Sequence, residues 1–599
     1  MFYSENKKQY LVLNRRTFFL YLLKLSFFSA VGWRLYDIQI ADSKKYKTLS
    51  KNNQIDFEII FPLRGEIFDR NNTLLATNKK VFDLYIIPEK TNSITSILNA
   101  LSDYIKIDFP KRRKIIELSK KIQKFEKIKI AENIDWQVLE KIEANKYNLQ
   151  GIIIYQDYIR IYPQKEFFSH IVGYLSKPNQ KELSLPFISQ MPNLDIGKEG
   201  IEKSFNPVLV GQAGQREIEV NSYGRVIREI SRKESKKGKK IILTVDNKIQ
   251  EYAFNLLKSH RAGSIVVMNV ENGEILCMAS MPTYDANKII TKPNKEYWDE
   301  LLNNNLSPLT FRSIQGLYAP GSTFKMIVAI AALKHGIINK ESKTFCNGKI
   351  EFGDRLYHCW KNIGHGNMNI INGIKESCDV FFYELARKLG IDRIAEVAFD
   401  FGLGQIYDFE LKNQKKGIVP SKKWKKDTMH ESWYAGETLI TGIGQGFVLA
   451  NPLQLAVMTS IIASKEKRIT PTLTFREKNN FKSNEKYKNQ IEIIQKAMFK
   501  VVNEYKGTAF QSRSENLEFS GKTGTSQVTK ISLSERESED FRTKEIEWKK
   551  RDHALFVGYM PSTKPKYSIS VIIEHGGSGA SIAAPIAKQV FNYIHKLEA

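Results

Sequence analysis

Hydrophobic and polar positions change period several times along this chain, and those changes divide it into blocks. Residues 17–38 hold a long apolar run, Thr17-Phe18-Phe19-Leu20-Tyr21-Leu22-Leu23 and then Leu25 to Trp33, broken by Lys24. About 17–25 such residues cross a bilayer as a helix, and a lysine inside the span must snorkel or face a partner helix. Farther on, Ile115, Leu118, Ile122 and Phe125 recur at helical spacing, so the charged stretch 92–147 is expected to be helical. Gly214 to Val220 alternates as a strand does, and Leu63–Phe68 and Leu74–Asn78 flank an Asp69-Arg70-Asn71-Asn72 turn. After the apolar-poor boundary Ser231–Lys240, strands are expected at Ile241–Asp246, at 263–268 and 274–279 around an Asn272-Gly273 hairpin turn, at His553–Gly558 and at Tyr567–Ile573. Between these lies Phe324 to Leu333, a helix with almost no polar face and therefore buried on nearly all sides. Strands at both ends with helices between them predict an α+β domain, an antiparallel sheet packed with helices.

The length of 599 residues implies several domains, and 42% hydrophobic content is ample for large cores. The blocks give a cytoplasmic tail at 1–16, a membrane anchor at 17–38, a non-catalytic pedestal or dimerisation-type domain at 39–235 and a second domain at 241–599. Lys7, Lys8, Arg15 and Arg16 ahead of the span place the tail in the cytoplasm and everything after residue 40 outside. A cleaved signal peptide is the alternative, with Ser29-Ala30 a poor cleavage site. The net charge of +26 is spread along the whole chain, which fits compositional bias or attraction to an anionic membrane. No nucleic-acid module is recognisable, so no nucleic-acid partner is expected.

Candidate chemistry starts at Pro320-Gly321-Ser322-Thr323-Phe324-Lys325. Serine is a weak nucleophile until a base takes its proton, and a lysine disfavoured as a cation by burial can be that base. The helix start adds free N–H groups and a positive dipole end for a developing oxyanion. The S-x-x-K pattern also occurs at Ser4, Ser464 and Ser483, so its context carries the weight. Ser377-Cys378-Asp379 by itself reads as a helix N-cap. Ser520-Gly521-Lys522-Thr523-Gly524-Thr525 holds the chain's one Lys-Thr-Gly, whose glycines would let a peptide lie alongside as an added strand while Lys522 and Thr523 hold a carboxylate.

In order, S-x-x-K, S-x-D and K-T-G resemble the penicilloyl serine transferases, whose signature is S-x-x-K, S-D-N and K-T-G. Leu63-Arg64-Gly65-Glu66-Ile67-Phe68-Asp69-Arg70, Ile443-Gly444-Gln445-Gly446 and Asn451-Pro452-Leu453-Gln454 extend the likeness to class B penicillin-binding proteins of the cell-elongation type. The resemblance implies a single membrane helix, an elongated pedestal and a transpeptidase domain in the periplasm, anchored in the inner membrane. It implies a β-lactam-sensitive D,D-transpeptidase acting on peptidoglycan stem peptides that end in D-Ala-D-Ala, beside a membrane-embedded glycan polymerase and with no catalytic cofactor. Ser322 would form the acyl-enzyme, Lys325 would be the acylation base, and Ser377 would pass a proton to the leaving amine. Lys522, Thr523, Gly524 and Thr525 would hold the substrate, with the amides of Ser322 and Thr525 as oxyanion hole. Asp379 departs from the pattern's asparagine and loses an amide donor, though it could pair with a lysine. A division-type transpeptidase, a β-lactamase or penicillin-sensing receptor, and an inactive scaffold that activates a polymerase are the alternatives. The charged stretch Thr529–Asp552 is expected to be a solvated loop.

Three of the four cysteines cluster: Cys346, Cys359, His365 and Cys378 are separated by 12, 5 and 12 residues. Three thiols and an imidazole suit a tetrahedral structural zinc, with His358 a rival ligand. One disulfide plus a free thiol, or three buried thiols, is the alternative. Cys277, in an apolar strand, is expected in the core.

Overall fold

The computed structural model describes residues 15–45, 54–184, 188, 191, 194–221, 225–291, 295–465, 469–476, 485–528 and 547–599. Most of the charged stretch after the Lys-Thr-Gly strand, 529–546, lies outside them. Helix α1 (Arg15–Tyr36) leads the chain, and Phe18–Ala41 is long and apolar enough to cross a membrane. Its large side chains, among them Phe19, Leu23 and Trp33, are exposed within the protein, as a lipid-facing helix requires.

Two compact units follow from the contacts. The first comprises residues 1–62, 83–155 and 212–236. Its three-stranded antiparallel sheet has Gly214–Val220 in the middle, between Ile55–Ile60 and Val226–Lys233. Ile218 and Val220 alternate inward there. The helical expectation for 92–147 holds at Ile94–Leu101, Phe109–Lys121 and Trp136–Ala144 but fails between them. Ile122 leaves helical geometry at ψ 168°, and Ile128–Ile134 is a strand that buries Ile128, Ile130 and Ile134. The Lys-Ile-Lys-Ile alternation decides this segment, and Lys129 pairs with Asp83 at 2.9 Å.

The second unit comprises residues 63–82, 156–211 and 237–599. Ile67–Phe68 pairs in parallel with Ile241–Ile242. The expected turn forms, Asp69 Oδ1 accepting from the amides of Asn71 and Thr73. Nearby, Glu202 is fully buried between Arg64 (2.6 Å) and Arg160 (2.7 Å), and Asn206 accepts from the Arg64 guanidinium. Both guanidiniums hold the Glu202 carboxyl below its usual range, against the burial that pushes it up.

The core of this unit is a five-stranded antiparallel sheet. Its strands are β1 (Gly263–Asn269), β2 (Ile275–Met281), β3 (Ser520–Ser526), β4 (His553–Met560) and β5 (Tyr567–Ile573), in the order β2-β1-β5-β4-β3. Near-continuous burial of β1, β4 and β5 shows both faces covered. The β1–β2 hairpin turns through residues 270–274 rather than through Asn272-Gly273 alone. Asn269 Oδ1 caps the Glu271 amide and Val270 N is drawn to Lys566 O, so the turn opens wider than two residues. Cys277 is fully buried in β2. Helix α2 (Lys325–Lys334) is buried on every face through Ala332, as its lack of a polar side predicts. Helix α3 (Asp379–Leu389) and helix α4 (Pro452–Ser464) share the same core. Strand β3 forms an edge of the sheet.

Candidate active site

Ser322 sits in a tight 3₁₀ turn, Gly321–Thr323, immediately before α2, so the candidate nucleophile precedes the α-helix. Gly321 has φ +56°, and a Cβ there would lie 2.5 Å from the Thr525 carbonyl oxygen. Only glycine allows the turn to approach β3 this closely. Gly321 N donates to Gly444 O at 2.8 Å, and a Cβ on Gly444 would meet Gly321 O at 1.9 Å. Gln445 Nε2 then donates to Thr525 O at 2.9 Å. The Ile443-Gly444-Gln445-Gly446 stretch thus braces the serine turn against the strand.

Behind the serine, three stretches converge. Lys325, fully buried, donates to Ser377 O (2.9 Å) and Ser377 Oγ (3.1 Å) and pairs with Asp379 at 2.7 Å. None of its hydrogen bonds goes to Ser322, whose side chain lines the cleft. Ser377 Oγ also lies 3.0 Å from Lys522 Nζ, so one hydroxyl sits between two amines. Ser377 holds φ +56°, a costly conformation for a residue with a Cβ. Its neighbours fix it: the carbonyl by Lys325, the hydroxyl by both lysines. Two buried amines share one carboxylate, and Lys325 holds it. Burial, with the Lys325 charge adding to it, pushes Lys522 well below the ordinary lysine range, only partly offset by Asp379.

The substituted position therefore has a use, since Asp379 supplies the counter-charge for Lys325. Its second oxygen accepts from the Trp360 amide at 2.9 Å. Trp360 carried no signal in the sequence beyond standing next to Cys359. Neither did Thr508, whose hydroxyl lies 2.7 Å from that of Thr523.

The Lys-Thr-Gly strand is β3, and its glycines answer to the protein before any substrate. A Cβ on Gly521 would lie 2.2 Å from the Phe556 ring, and one on Gly524 would lie 3.0 Å from Pro320 O. Among the described residues no strand pairs with the outer edge of β3, which borders a cleft of about 890 Å³ lined by Ser322, Ser377, Asp379, Thr523, Gly524 and Thr525 among others. A cleft bordered by an unpaired strand edge takes an extended peptide by backbone pairing.

Beside this cleft the sequence's metal set comes together. The Sγ atoms of Cys346, Cys359 and Cys378 and Nδ1 of His365 all lie within 4.8 Å of one another. His365, not His358, supplies the imidazole, with Nδ1 3.6 Å from Cys346 Sγ and 3.4 Å from Cys359 Sγ. A tetrahedron with metal–sulfur bonds of about 2.3 Å and a metal–nitrogen bond of about 2.0 Å has edges of this length. All four cysteines are thiols, so the disulfide alternative is not what the fold adopts. Cys378 and then His365 hold the Cys359 thiol below its ordinary range, while the Cys378 thiol is pushed up by Cys359 and by burial. Cys359 Sγ also accepts from the Asp379 amide at 3.4 Å.

A model of the penicillin-binding protein transpeptidase domain matches residues 263–592, and one of the penicillin-binding protein dimerisation domain matches residues 59–243. The chain belongs to the penicillin-binding proteins, and the pairing of these two domains makes it a class B member. It is 31% identical to the peptidoglycan D,D-transpeptidase MrdA of Haemophilus influenzae over 612 residues, covering 99% of this chain and 93% of that protein. Among solved structures, it is similar to penicillin-binding protein 2 of Helicobacter pylori in complex with MreC (TM-score 0.79, 30% identity, covering 91% of this chain and 99% of that one). It is also similar to a chain of a peptidoglycan synthase complex that coordinates polymerization and crosslinking (TM-score 0.70, 27% identity, covering 96% and 98%). These likenesses place it with the elongation-type penicillin-binding protein 2.

Proposed function

We propose that this chain is a membrane-anchored peptidoglycan D,D-transpeptidase of cell elongation, with Ser322 as nucleophile. The observation that carries this reading is one cleft, along an edge strand, lined by Ser322 and Ser377, with Lys325 and Lys522 buried behind it and both bonded to Ser377 Oγ. Ser322 Oγ attacks the carbonyl of the penultimate D-alanine of a stem peptide. The bond to the terminal D-alanine breaks, and an ester joins the stem to Ser322. A second stem's amine attacks that ester, an amide bond forms, and Ser322 regains its proton.

The contacts around Ser377 support a route for the first proton. Lys325 starts as the partner of Asp379. Burial and the Lys325 charge keep Lys522 neutral at rest, so it has a lone pair to take the Ser377 proton as Ser377 takes one from Lys325. Lys325, now neutral, accepts the Ser322 proton; Ser377 then gives its proton to the leaving amine and is refilled from Lys522, which returns both lysines to their starting states. The terminal carboxylate is held by Thr523 and Thr525, with Lys522 beneath them. The amides of Ser322 and Thr525 stabilise the oxyanion.

The apolar helix α1 would hold the protein in the inner membrane as a single pass, with the catalytic unit on the periplasmic side. The relatives' complexes suggest an MreC-like scaffold and a glycan polymerase as partners. The purified full chain is expected to release D-alanine from a stem ending in D-Ala-D-Ala and to yield a cross-linked dimer only when an amine-bearing acceptor is present. Absence of both products would overturn the assignment. The division-type alternative predicts filaments on depletion; elongation predicts rounded cells.

The thiol–imidazole cluster fits a structural zinc held by Cys346, Cys359, His365 and Cys378. The metal would lock the loop that carries Cys359 and Trp360 against Cys378 and Asp379, and it takes no part in the acyl transfer. Cys359→Ser is expected to lower bound zinc and the thermal midpoint together, measured by metal analysis and calorimetry. Wild-type protein purified without zinc and unchanged by the substitution would remove the metal.

A further inference from the structure

The cleft contains a carboxylate that the acyl-transfer machinery leaves unused. Among the described residues two acidic side chains line it: Asp379, which is paired with Lys325, and Asp552. Asp552 stands where β4 begins, one residue before His553, whose register partner is Ser526. Going along β3 beyond Thr525, the cleft wall is therefore Gln527 on one strand and Asp552 across from it, followed by Ser578 and Ala580.

The fold builds this position firmly. Asp552 O accepts from Gly577 N at 2.8 Å, and Oδ1 accepts from Val528 N at 3.3 Å. The turn after Gly577 packs so closely on the Lys-Thr-Gly strand that a Cβ on Gly579 would lie 2.2 Å from Gly524 O. The carboxyl is half-buried, and among the described residues no lysine or arginine comes within ion-pair distance of it. The charged or titratable group facing it is His575, whose Nδ1 is tied to Arg551 O at 2.8 Å. Burial pushes the Asp552 carboxyl above its usual range, and the Val528 amide and His575 offset this only in part. A half-desolvated carboxylate in a substrate cleft gains most from a cation that arrives with the substrate.

The proposed reaction brings such a cation. A primary amine with a pKa near 10.4 reaches the enzyme protonated at neutral pH. We propose that Asp552 receives an ammonium group on the stem peptide and so determines specificity for an amine-bearing stem. This rests on the transpeptidase reading above. The ammonium can belong to the donor stem seated along β3 or to the acceptor stem that approaches the ester, and the two sources are separable by experiment.

The test uses the full-length chain and its Asp552→Asn and Asp552→Glu variants. One donor stem ends in D-Ala-D-Ala with a free side-chain amine, a second has that amine acetylated, and an amine-bearing acceptor is offered to each. The readouts are kcat/KM for D-alanine release and the ratio of cross-linked to hydrolysed product. Asp552→Asn is expected to leave D-alanine release from the acetylated donor within about twofold of wild type and to cost at least about tenfold in an amine-dependent readout, with Asp552→Glu recovering part of the loss. A loss in release from the free-amine donor assigns the contact to the donor. A fall confined to the cross-linked fraction assigns it to the acceptor. Wild-type behaviour of Asp552→Asn in every readout overturns the proposal, as does an equal loss with the acetylated donor. Wild-type protein that releases no D-alanine from either donor takes down the transpeptidase reading as well.

Discussion

Ser322→Ala loses covalent labelling by a fluorescent penicillin completely, because removing a serine nucleophile costs about 10⁶-fold in rate and no other group takes its place. The thermal midpoint should stay within the small range of changes typical of sites without fixed partners. The Ser322 side chain lines the cleft and makes none of the hydrogen bonds that hold the turn; those come from Gly321, Thr323, Phe324, Gly444 and Gln445. Labelling equal to wild type would place the acyl bond elsewhere and end the case for Ser322.

The second large effect concerns Lys325. Lys325→Ala removes the proton acceptor, and acylation by benzylpenicillin should slow by about 10²–10⁴-fold, the span general-base catalysis usually contributes. The variant should also be less stable, because Asp379 is left without its counter-charge in a buried setting; breaking such pairs costs about 3–5 kcal/mol. Lys325→Arg separates the two effects. A guanidinium can pair with Asp379 but does not give up its proton near neutral pH, so the thermal midpoint should recover while acylation stays slow. Stopped-flow acylation and calorimetry on both variants report this. Wild-type acylation by Lys325→Arg would exclude Lys325 as the base.

Much of this site was legible because its parts carry backbone constraints that show as residue types. Pro320-Gly321 and Gly444 mark a turn that tolerates no side chain, and Lys325 in an otherwise apolar helix has no structural excuse. What could not be read was which lysine holds the counter-charge. That depends on Asp379 reaching Lys325 while Lys522 reaches only Ser377 and a backbone carbonyl, a matter of angstroms between distant segments. The strand at Ile128–Ile134 escaped because its lysines and isoleucines fit a charged helix nearly as well until a neighbouring strand selects the alternation. Asp552 escaped because it closes a charged stretch that reads as solvated loop, and only the pairing of β3 with β4 brings it to the cleft. The glycines of β3 were noticed for space, but the space is filled by Phe556 and Pro320 of the same chain.

The catalytic unit is threaded from three separate lengths of polypeptide, and this limits how the enzyme can be cut down. A fragment beginning near residue 241 would discard Ile67–Phe68, the neighbour of Ile241–Ile242, and Tyr162, whose amide is bonded by Asn287 at 2.9 Å. It would present bare hydrophobic strand to solvent and be prone to clump. Trimming for crystallisation or inhibitor screening should stop on the membrane side of residue 54, and the ribosome must deliver Tyr567–Ile573, close to the end of the protein, before β1 has its second neighbour.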